Sequence, residues 1–315
     1  MKSLQALLCV LCLPLMAVAQ VLPRPPQPKP EIIIDMHLHA FRADAFGLPG
    51  QPNPLTGKPA LATDAALREA SLSALSQNNI VLAVTSGPLP VVEAWKAAAP
   101  GKIIPALSMV EGDKLPDLAG LRAAFREKRL EVLGEIGAQY MGLSLSSPEL
   151  EPYLALAEEL DIPVGIHTGF GPPGATYNCC PKFRASLGNP LLLEEALVRH
   201  PKLRVYMMHA GYPFLEEAIA VLHAHPQLYA DLAVIDWVLP RQEFHDYLRR
   251  LMQHTECGMP KRLLFGSDQM IWPEAIGMAI ENIESADFLT EEQKRDIFYH
   301  NAARFLRLGS EASRK

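Results

Sequence analysis

Eight apolar runs of strand length recur along the chain, separated by stretches with the spacing of amphipathic helices. The runs are Ile32–Asp35, Ile80–Thr85, Ile103–Met109, Val132–Ile136, Val164–His167, Leu203–His209, Leu228–Ile235 and Leu263–Gly266. Short, apolar strands are typical of parallel sheets that are covered on both faces. Strand and helix alternating eight times predict a single-domain (β/α)8 TIM barrel over residues 31–308, with a doubly wound open sheet as the alternative.

Composition places the chain among ordinary globular proteins and excludes two classes of partner. The 315 residues include 29 Lys and Arg against 35 Asp and Glu, which gives a net charge of −6. A mildly acidic chain without basic runs offers no electrostatic attraction to nucleic acid or to an anionic membrane surface. We therefore expect neither nucleic acid nor a membrane surface as a partner. A homo-oligomer stays open as an alternative to a monomer.

The N-terminus has the pattern of a secretory signal peptide over residues 1–19. Lys2 precedes the almost wholly apolar run Leu4–Leu15, and Ala17-Val18-Ala19 supplies the small residues for cleavage after Ala19. The apolar run is shorter than the roughly 20 residues that a membrane span needs, and no later stretch of the mature chain meets that requirement. We therefore expect a secreted or periplasmic protein.

Two segments flank the predicted domain in the mature chain. Residues 20–30 include five prolines between Val21 and Pro30, a composition that predicts an extended linker on the surface. Residues 309–315 form a short C-terminal tail. Neither segment is expected to contribute to the barrel.

Cleavage after Ala19 leaves three cysteines, Cys179, Cys180 and Cys257, in an oxidising compartment. Adjacent cysteines can pair only in a strained vicinal bridge, so three thiols are the simplest expectation and the bridge stays open. A count of three excludes a zinc site built from four thiolates.

Polar residues gather where five of the predicted strands end. The first strand runs into Asp35-Met36-His37-Leu38-His39, and the fourth, fifth, sixth and eighth strands end at Glu135, His167, His209 and Asp268. In a parallel barrel the carboxyl ends of all strands lie at one rim, where functional residues collect. The sequence therefore predicts that four histidines and two carboxylates face one another at this rim.

This set of side chains favours metal binding. His37 and His39 lie two residues apart, so both point to the same side of an extended strand and can share one ion. Imidazole and carboxylate donors suit zinc, with iron, manganese and nickel as alternatives. Asp231, on the seventh strand, is interpreted as a hydrogen-bonding residue outside the ligand set. The other histidines are interpreted as surface or packing residues: His200, His223, His225, His245, His254 and His300.

The chain resembles the amidohydrolase superfamily of metal-dependent barrels over most of its length. The residues that carry the resemblance are Asp35-Met36-His37-Leu38-His39, Glu135, His167, His209, Gly266-Ser267-Asp268 and Asn301-Ala302-Ala303-Arg304-Phe305. The pattern is most similar to the amidohydrolase-related (amidohydrolase 2) branch, which contains hydrolases, lactonases and nonoxidative decarboxylases. The segment Gly134–Gly137 is also similar to TatD-type hydrolases, but Ala138-Gln139 replaces the Leu-Asp of that pattern, which argues against a nuclease.

The resemblance implies metal-dependent hydrolysis of a small-molecule amide, ester or lactone by a metal-activated water. The implied ligands are His37, His39, Glu135, His167, His209 and Asp268, holding one or two divalent ions, with Zn²⁺ expected first. Asp268 would take the proton of the water and pass it to the leaving group. His209 or the metal would polarise the substrate carbonyl, and Glu135 would bridge two ions.

Two other functions stay open. Decarboxylases of the same branch keep one ion on His37, His39, His167 and Asp268, and use the histidine at the position of His209 in catalysis. Glu135 argues against this reading, because a site with one ion leaves its carboxylate without a role. The third hypothesis is a secreted binding barrel without catalytic activity, which is disfavoured because no ligand of the set is missing.

Overall fold

A computed structural model describes residues 32–110 and 115–309. The predicted signal peptide, the proline-rich linker and residues 310–315 of the predicted tail lie outside the described residues. Eight parallel strands form one sheet in the order of the sequence. They are β1 (Ile33–His39), β2 (Ile80–Gly87), β3 (Ile103–Met109), β4 (Val132–Ile136), β5 (Val164–His167), β6 (Val205–Met208), β7 (Leu228–Asp231) and β8 (Leu263–Leu264).

The sheet closes on itself between β1 and the segment that follows β8. The Met36 N–H donates to the carbonyl of Phe265 at 2.9 Å, and the Asp268 N–H donates to the carbonyl of His37 at 2.7 Å. The chain is therefore a single-domain TIM barrel, and the predicted fold is confirmed. Closure also brings the ends of the first and last strands, which carry predicted ligands, side by side.

Helices connect the strands and cover the outside of the barrel. They are α1 (Asp64–Gln77), α2 (Leu89–Ala98), α3 (Leu118–Arg126), α4 (Glu151–Leu160), α5 (Ala175–Asn178), α6 (Glu194–Arg199), α7 (Leu215–Ala224), α8 (Ile235–Val238), α9 (Arg241–Met252), α10 (Ala275–Glu284), α11 (Glu291–Arg295) and α12 (Asn301–Phe305). Side chains cap several of them; the Thr63 hydroxyl, for example, accepts the Ala66 N–H at the start of α1. Among the described residues, no helix combines the length and the apolar character needed to cross a bilayer.

Element boundaries differ from the sequence-based expectation where polar residues continue a strand. Strand β1 runs on to His39 instead of ending at Asp35, because Met36 and Leu38 are wholly buried and keep the segment in the sheet. Helix α2 lies between the second and third strands, where the alternation of strand and helix predicts one. Its Pro90 looks like a helix breaker, but it lies in the first turn, where no intrahelical N–H bond is lost.

The interior of the barrel is divided into an apolar lower part and a polar upper part. The lower part contains inward-facing residues such as Ile34, Val132 and Tyr206, and α12 closes it from below through Phe305. The rings of Tyr206 and Phe305 meet edge to face, with centroids 5.5 Å apart. This apolar plug excludes water from below, so the polar layer at the carboxyl ends of the strands is open only at the mouth.

Candidate metal centre

The structure brings the six side chains of the predicted ligand set together at the carboxyl ends of the strands. They form two groups of three, in each of which the ligand atoms lie within 4.8 Å of one another: His37, His39 and Asp268, and Glu135, His167 and His209. The groups adjoin, since the ring centroids of His37 and His209 are 5.2 Å apart. All six residues are buried.

Glu135 lies between the two groups. Its Oε2 is 3.3 Å from Nε2 of His39 and 3.7 Å from Nε2 of His37. Its other oxygen, Oε1, is 3.7 Å from Nε2 of His167. One carboxylate oxygen therefore faces the first group and the other faces the second group.

Hydrogen bonds on the outer side of three imidazoles fix which nitrogen faces inward. Nδ1 of His37 is 3.1 Å from Asp231, Nδ1 of His39 is 3.0 Å from the Ser86 hydroxyl, and Nδ1 of His209 is 2.9 Å from the Ala233 carbonyl. The Nε2 atoms are thus directed toward the centre of the site. Outer partners of this kind hold a ligand's tautomer and ring orientation.

Asp231 belongs to this outer layer although its carboxylate lies close to two ligand histidines. Its Oδ1 accepts the backbone N–H groups of His209 and Ala233 at 2.8 and 3.1 Å, and its Oδ2 contacts His37. Both oxygens are engaged on the side away from the centre. The structure therefore gives Asp231 an orienting role, as the sequence analysis expects.

Asp35 connects β1 to the segment that carries Asp268. It accepts hydrogen bonds from the Ser267 hydroxyl at 2.6 Å, the Ser267 N–H at 3.0 Å and the His37 N–H at 3.0 Å. Burial raises the pKa of Asp35 to about 6, even though these bonds act in the opposite direction. Asp268 itself has a left-handed backbone, with φ of 44°, and His209 has φ of 60°. Such conformations are costly outside glycine and concentrate at functional sites.

The pKa shifts at the site favour ionised carboxylates and a neutral His167, the protonation states in which these side chains bind a metal ion. Burial alone would raise the pKa of Glu135, but the imidazoles of His37, His167 and His39 outweigh it and hold that pKa below its usual range. The pKa of Asp268 is lowered in the same way, against its burial, by His37 and His39. Burial and neighbouring His209 lower the pKa of His167 to about 3, so its ring is neutral and keeps a lone pair for coordination.

The residues fit a divalent ion. Nε2 of His37 and Nδ1 of His167 are buried and have no hydrogen-bond partner among the described residues, and Nε2 of His37 faces the centre. Unpaired buried polar atoms are costly, and an ion that accepts their lone pairs removes the cost. Nitrogen and carboxylate oxygen donors in this arrangement suit zinc and other divalent first-row transition metals.

The structure adds Tyr140, which the sequence analysis did not single out. Its hydroxyl is 3.3 Å from Nε2 of His167, and the two rings meet edge to face at 5.1 Å. Tyr140 lies in the 3₁₀ turn Ala138–Met141 that follows β4. The sequence could have indicated Tyr140 through its position, five residues after Glu135 in a loop at the carboxyl end of the strands.

Aromatic side chains line one wall of the mouth. Phe41 stacks on His39 with ring centroids 4.2 Å apart, and Phe46 stacks on Trp272 at 5.8 Å. The sequence analysis did not single out the two phenylalanines; Phe41 lies two residues after His39 and so shares its side of the extended chain. Trp237, which follows β7, is not part of this wall. It lies in the core, where its indole N–H donates to the Ser267 carbonyl at 2.8 Å.

The long loop after β5 forms the opposite wall. Phe183 packs against Tyr140 with ring centroids 5.1 Å apart. In the same loop Cys179 and Cys180 form a disulfide bond, the vicinal bridge that the sequence analysis left open. Cys257, which lies elsewhere in the chain, is a free thiol. Arg184 donates to the carbonyls of Pro181 and Phe183 and holds the loop's own backbone.

Comparisons with known proteins agree with this geometry. The family model described as Amidohydrolase, of the amidohydrolase-2 type, matches residues 34–308. Protein fluG of Emericella nidulans is 23% identical over 164 residues, which are 47% of this chain and 18% of that protein. The matched region therefore spans about a fifth of the length of this curated relative.

Two solved structures share the fold. A probable 2-pyrone-4,6-dicarboxylic acid hydrolase from Acinetobacter baumannii is 14% identical, with a TM-score of 0.62 over 88% of this chain and 99% of that one. The 5-carboxyvanillate decarboxylase LigW from Sphingomonas paucimobilis is 15% identical, with a TM-score of 0.58 over 88% and 99%. These identities establish a common fold and no more. The family match over nearly the whole barrel shows that the chain belongs to the amidohydrolase-2 family of metal-dependent enzymes.

Proposed function

We propose that this protein is a metal-dependent hydrolase that acts on a small-molecule amide, ester or lactone. Membership of the family supports enzymatic activity and metal dependence. The solved structures that share the fold include a probable hydrolase and a decarboxylase. The choice of hydrolysis depends on one observation, the position of Glu135 between the two groups of ligands. The proposed ligands are His37, His39, Glu135, His167, His209 and Asp268.

Glu135 supports a pair of ions. A carboxylate that presents one oxygen to each of two neighbouring groups can bridge ions held in those groups. The first group offers His37, His39 and Asp268, and the second offers His167 and His209. Two ions close together are typical of enzymes that displace a leaving group with water. Zn²⁺ is the proposed ion, with Mn²⁺, Fe²⁺ and Ni²⁺ as alternatives that the same donors accept.

The protein's own residues account for proton transfer. A bound divalent ion supplies Lewis acidity and lowers the pKa of water at the site. Asp268 then serves as the general base and acid: its Oδ1 faces the centre, and its lowered pKa keeps it ionised and able to accept a proton. Nδ1 of His209 lies 2.9 Å from the Ala233 carbonyl, so Nε2 faces the centre. In a site with two ions Nε2 of His209 would be a ligand, and in a site with one ion a protonated His209 would be free to donate to the substrate carbonyl.

A decarboxylase is the second candidate. His37, His39 and Asp268 already form a group tight enough to hold a single ion, with Nε2 of His39 only 2.9 Å from Oδ1 of Asp268. With one ion bound there, His209 is free to act on the substrate. In that case Glu135 is an ion-pair partner of the histidines and not a bridge.

Metal stoichiometry and product analysis together separate the candidates. Purified protein is stripped with a chelator, saturated with Mn²⁺ and analysed for metal per chain, and is then screened against lactones, amides, esters and aromatic carboxylic acids. Two ions per chain and hydrolysis products support the proposal. One ion per chain with release of CO₂ from an aromatic acid supports the decarboxylase. Metal binding without turnover of any class supports a binding protein.

Location and partners follow the same proposal. The Lys2 and Leu4–Leu15 pattern with cleavage after Ala19 supports export to the periplasm or the medium. The net charge of −6 supports a small-molecule substrate rather than nucleic acid. Whether the protein works as a monomer or a homo-oligomer is a matter for size-exclusion chromatography with light scattering.

A further inference from the structure

A second cluster of potential metal ligands lies away from the mouth. It comprises His223 at the end of α7, and Glu256 and Cys257 in the loop between α9 and β8, with ligand atoms within 4.8 Å of one another. Nδ1 of His223 lies 4.0 Å from Oε1 of Glu256. His254 lies beside the cluster and hydrogen-bonds the same Glu256 oxygen through Nδ1 at 3.3 Å.

The spacing of these atoms is close to that of a tetrahedral site. With metal–ligand bonds of 2.0 to 2.3 Å, tetrahedral ligand atoms lie roughly 3.3 to 3.8 Å apart. The 4.0 Å between His223 and Glu256 lies just above this range, and the side chains are exposed enough to adjust: His223 is 61% and Glu256 58% exposed. Small side-chain rotations are therefore sufficient to close the cluster around an ion.

Cys257 determines which ion would bind. Among the described residues it is the free cysteine, and the reaction at the mouth does not use it. Its Sγ donates to the His254 carbonyl at 3.4 Å, a contact that an ion bound to the sulfur would replace. One thiolate with imidazole and carboxylate donors selects Zn²⁺ or Co²⁺ over the hard ions Mg²⁺, Ca²⁺ and Mn²⁺.

We propose that His223, Glu256 and Cys257 form a second site for a borderline-soft divalent cation such as Zn²⁺. The topology places it at the end of the barrel opposite the mouth, because α7 leads into β7 there and α9 leads into β8. The ion joins the end of α7 to the loop before β8. The site is independent of the reaction proposed above, and it gives a role to His223, which the sequence analysis interpreted as a surface or packing residue.

Cobalt spectroscopy tests the site without any activity measurement. The mouth offers only nitrogen and oxygen donors, so a thiolate-to-cobalt charge-transfer band in the near ultraviolet reports Cys257 alone. The full-length, non-reduced protein carrying Cys9→Ser and Cys12→Ser, which remove the thiols of the predicted signal peptide, is titrated with Co²⁺, and the Cys179–Cys180 disulfide stays silent. We expect a band that saturates at one cobalt per chain and that Zn²⁺ displaces.

Variants identify the ligands. Cys257→Ser should abolish the band, and His223→Ala should weaken cobalt binding at this site at least tenfold. The matched control is His225→Ala, two residues away, whose imidazole contacts Glu194 at 3.4 Å instead of the cluster. The pair His37→Ala and His39→Ala at the mouth should leave the band unchanged. Absence of the band in the unmodified protein, or a band that His223→Ala leaves at full affinity, would overturn the proposal.

Discussion

Oδ2 of Asp231 lies 3.1 Å from Nδ1 of His37, on the side of the ring that faces away from the proposed ion. The two residues are 194 positions apart in the chain. The carboxylate holds the proton of the imidazole on Nδ1 and leaves the lone pair of Nε2 directed into the centre. This contact joins the seventh strand to the first and prepares one ligand before any ion binds.

Replacing Asp231 with Asn should weaken metal binding while the fold persists. The amide oxygen can still accept the N–H groups of His209 and Ala233, but the amide nitrogen that replaces Oδ2 cannot accept the His37 proton. We expect about 10- to 100-fold lower affinity for Mn²⁺, measured by equilibrium dialysis. Asp236→Asn, a buried carboxylate five residues along, is the control. Equal Mn²⁺ affinities in the two variants would show that Asp231 does not orient His37 for metal binding.

Asp268→Asn should give a folded protein that binds metal and turns over slowly. The amide keeps the size of the side chain but cannot accept a proton. We expect at least a roughly hundredfold lower kcat, the usual contribution of a general acid–base group. Exposed Asp287→Asn is the matched control. Near-normal turnover with metal still bound would mean that the proton is carried elsewhere, with His209 as the next residue to replace.

Tyr140→Phe should lower turnover without loss of metal. Once Nε2 of His167 coordinates an ion, its lone pair is no longer available, and the Tyr140 hydroxyl is left to donate to a substrate oxygen nearby. Loss of such a bond should reduce kcat roughly tenfold, or about 1.4 kcal/mol. Tyr153→Phe, whose hydroxyl donates to the Pro116 carbonyl, should have no effect on kcat. Reduced metal content in the Tyr140 variant would show instead that the hydroxyl supports the ligand.

Asp236→Asn should stabilise the metal-free protein increasingly as pH rises. Burial, reinforced by Asp35 and Asp231, raises the pKa of Asp236 well above 3.8, and neither of its oxygens has a hydrogen-bond partner among the described residues. The folded state therefore keeps a proton that the unfolded chain releases above about pH 4, which lowers wild-type stability with a slope of up to about 1.4 kcal/mol per pH unit.

The stability difference is measured by urea unfolding at pH 5 and pH 8. The Asn variant has no such proton to release, so its advantage over the wild type should be larger at pH 8. A difference that stays constant between the two pH values would show that Asp236 is ionised in the folded protein.

The exported protein should begin at Gln20. The small residues Ala17-Val18-Ala19 follow the apolar run at the distance that a signal peptidase requires. Amino-terminal sequencing or intact mass of material recovered outside the cytoplasm gives the answer directly. An exported form that still carries Met1 would contradict the prediction.

Much of the site could be inferred from local pattern. The two-residue spacing of His37 and His39 fixes both on one side of a strand, since side chains alternate along it. Parallel strands place their carboxyl ends at one rim, so Glu135, His167 and Asp268 were expected near that pair before any contact was known. The strands β3, β4 and β5 match their predicted bounds because each is an apolar run with clear ends.

The tertiary structure decided what local pattern does not contain. Nothing near His37 in the chain shows that Asp231 holds its Nδ1, or that Glu135 presents one oxygen to each group of ligands. The aromatic contact of Tyr140 with His167 and the pairing of Cys179 with Cys180 depend equally on loop conformation. Periodicity in sequence determines which side of its own element a residue faces. Distances and orientations between elements are set by how the whole barrel packs and closes, which involves residues far apart in the chain.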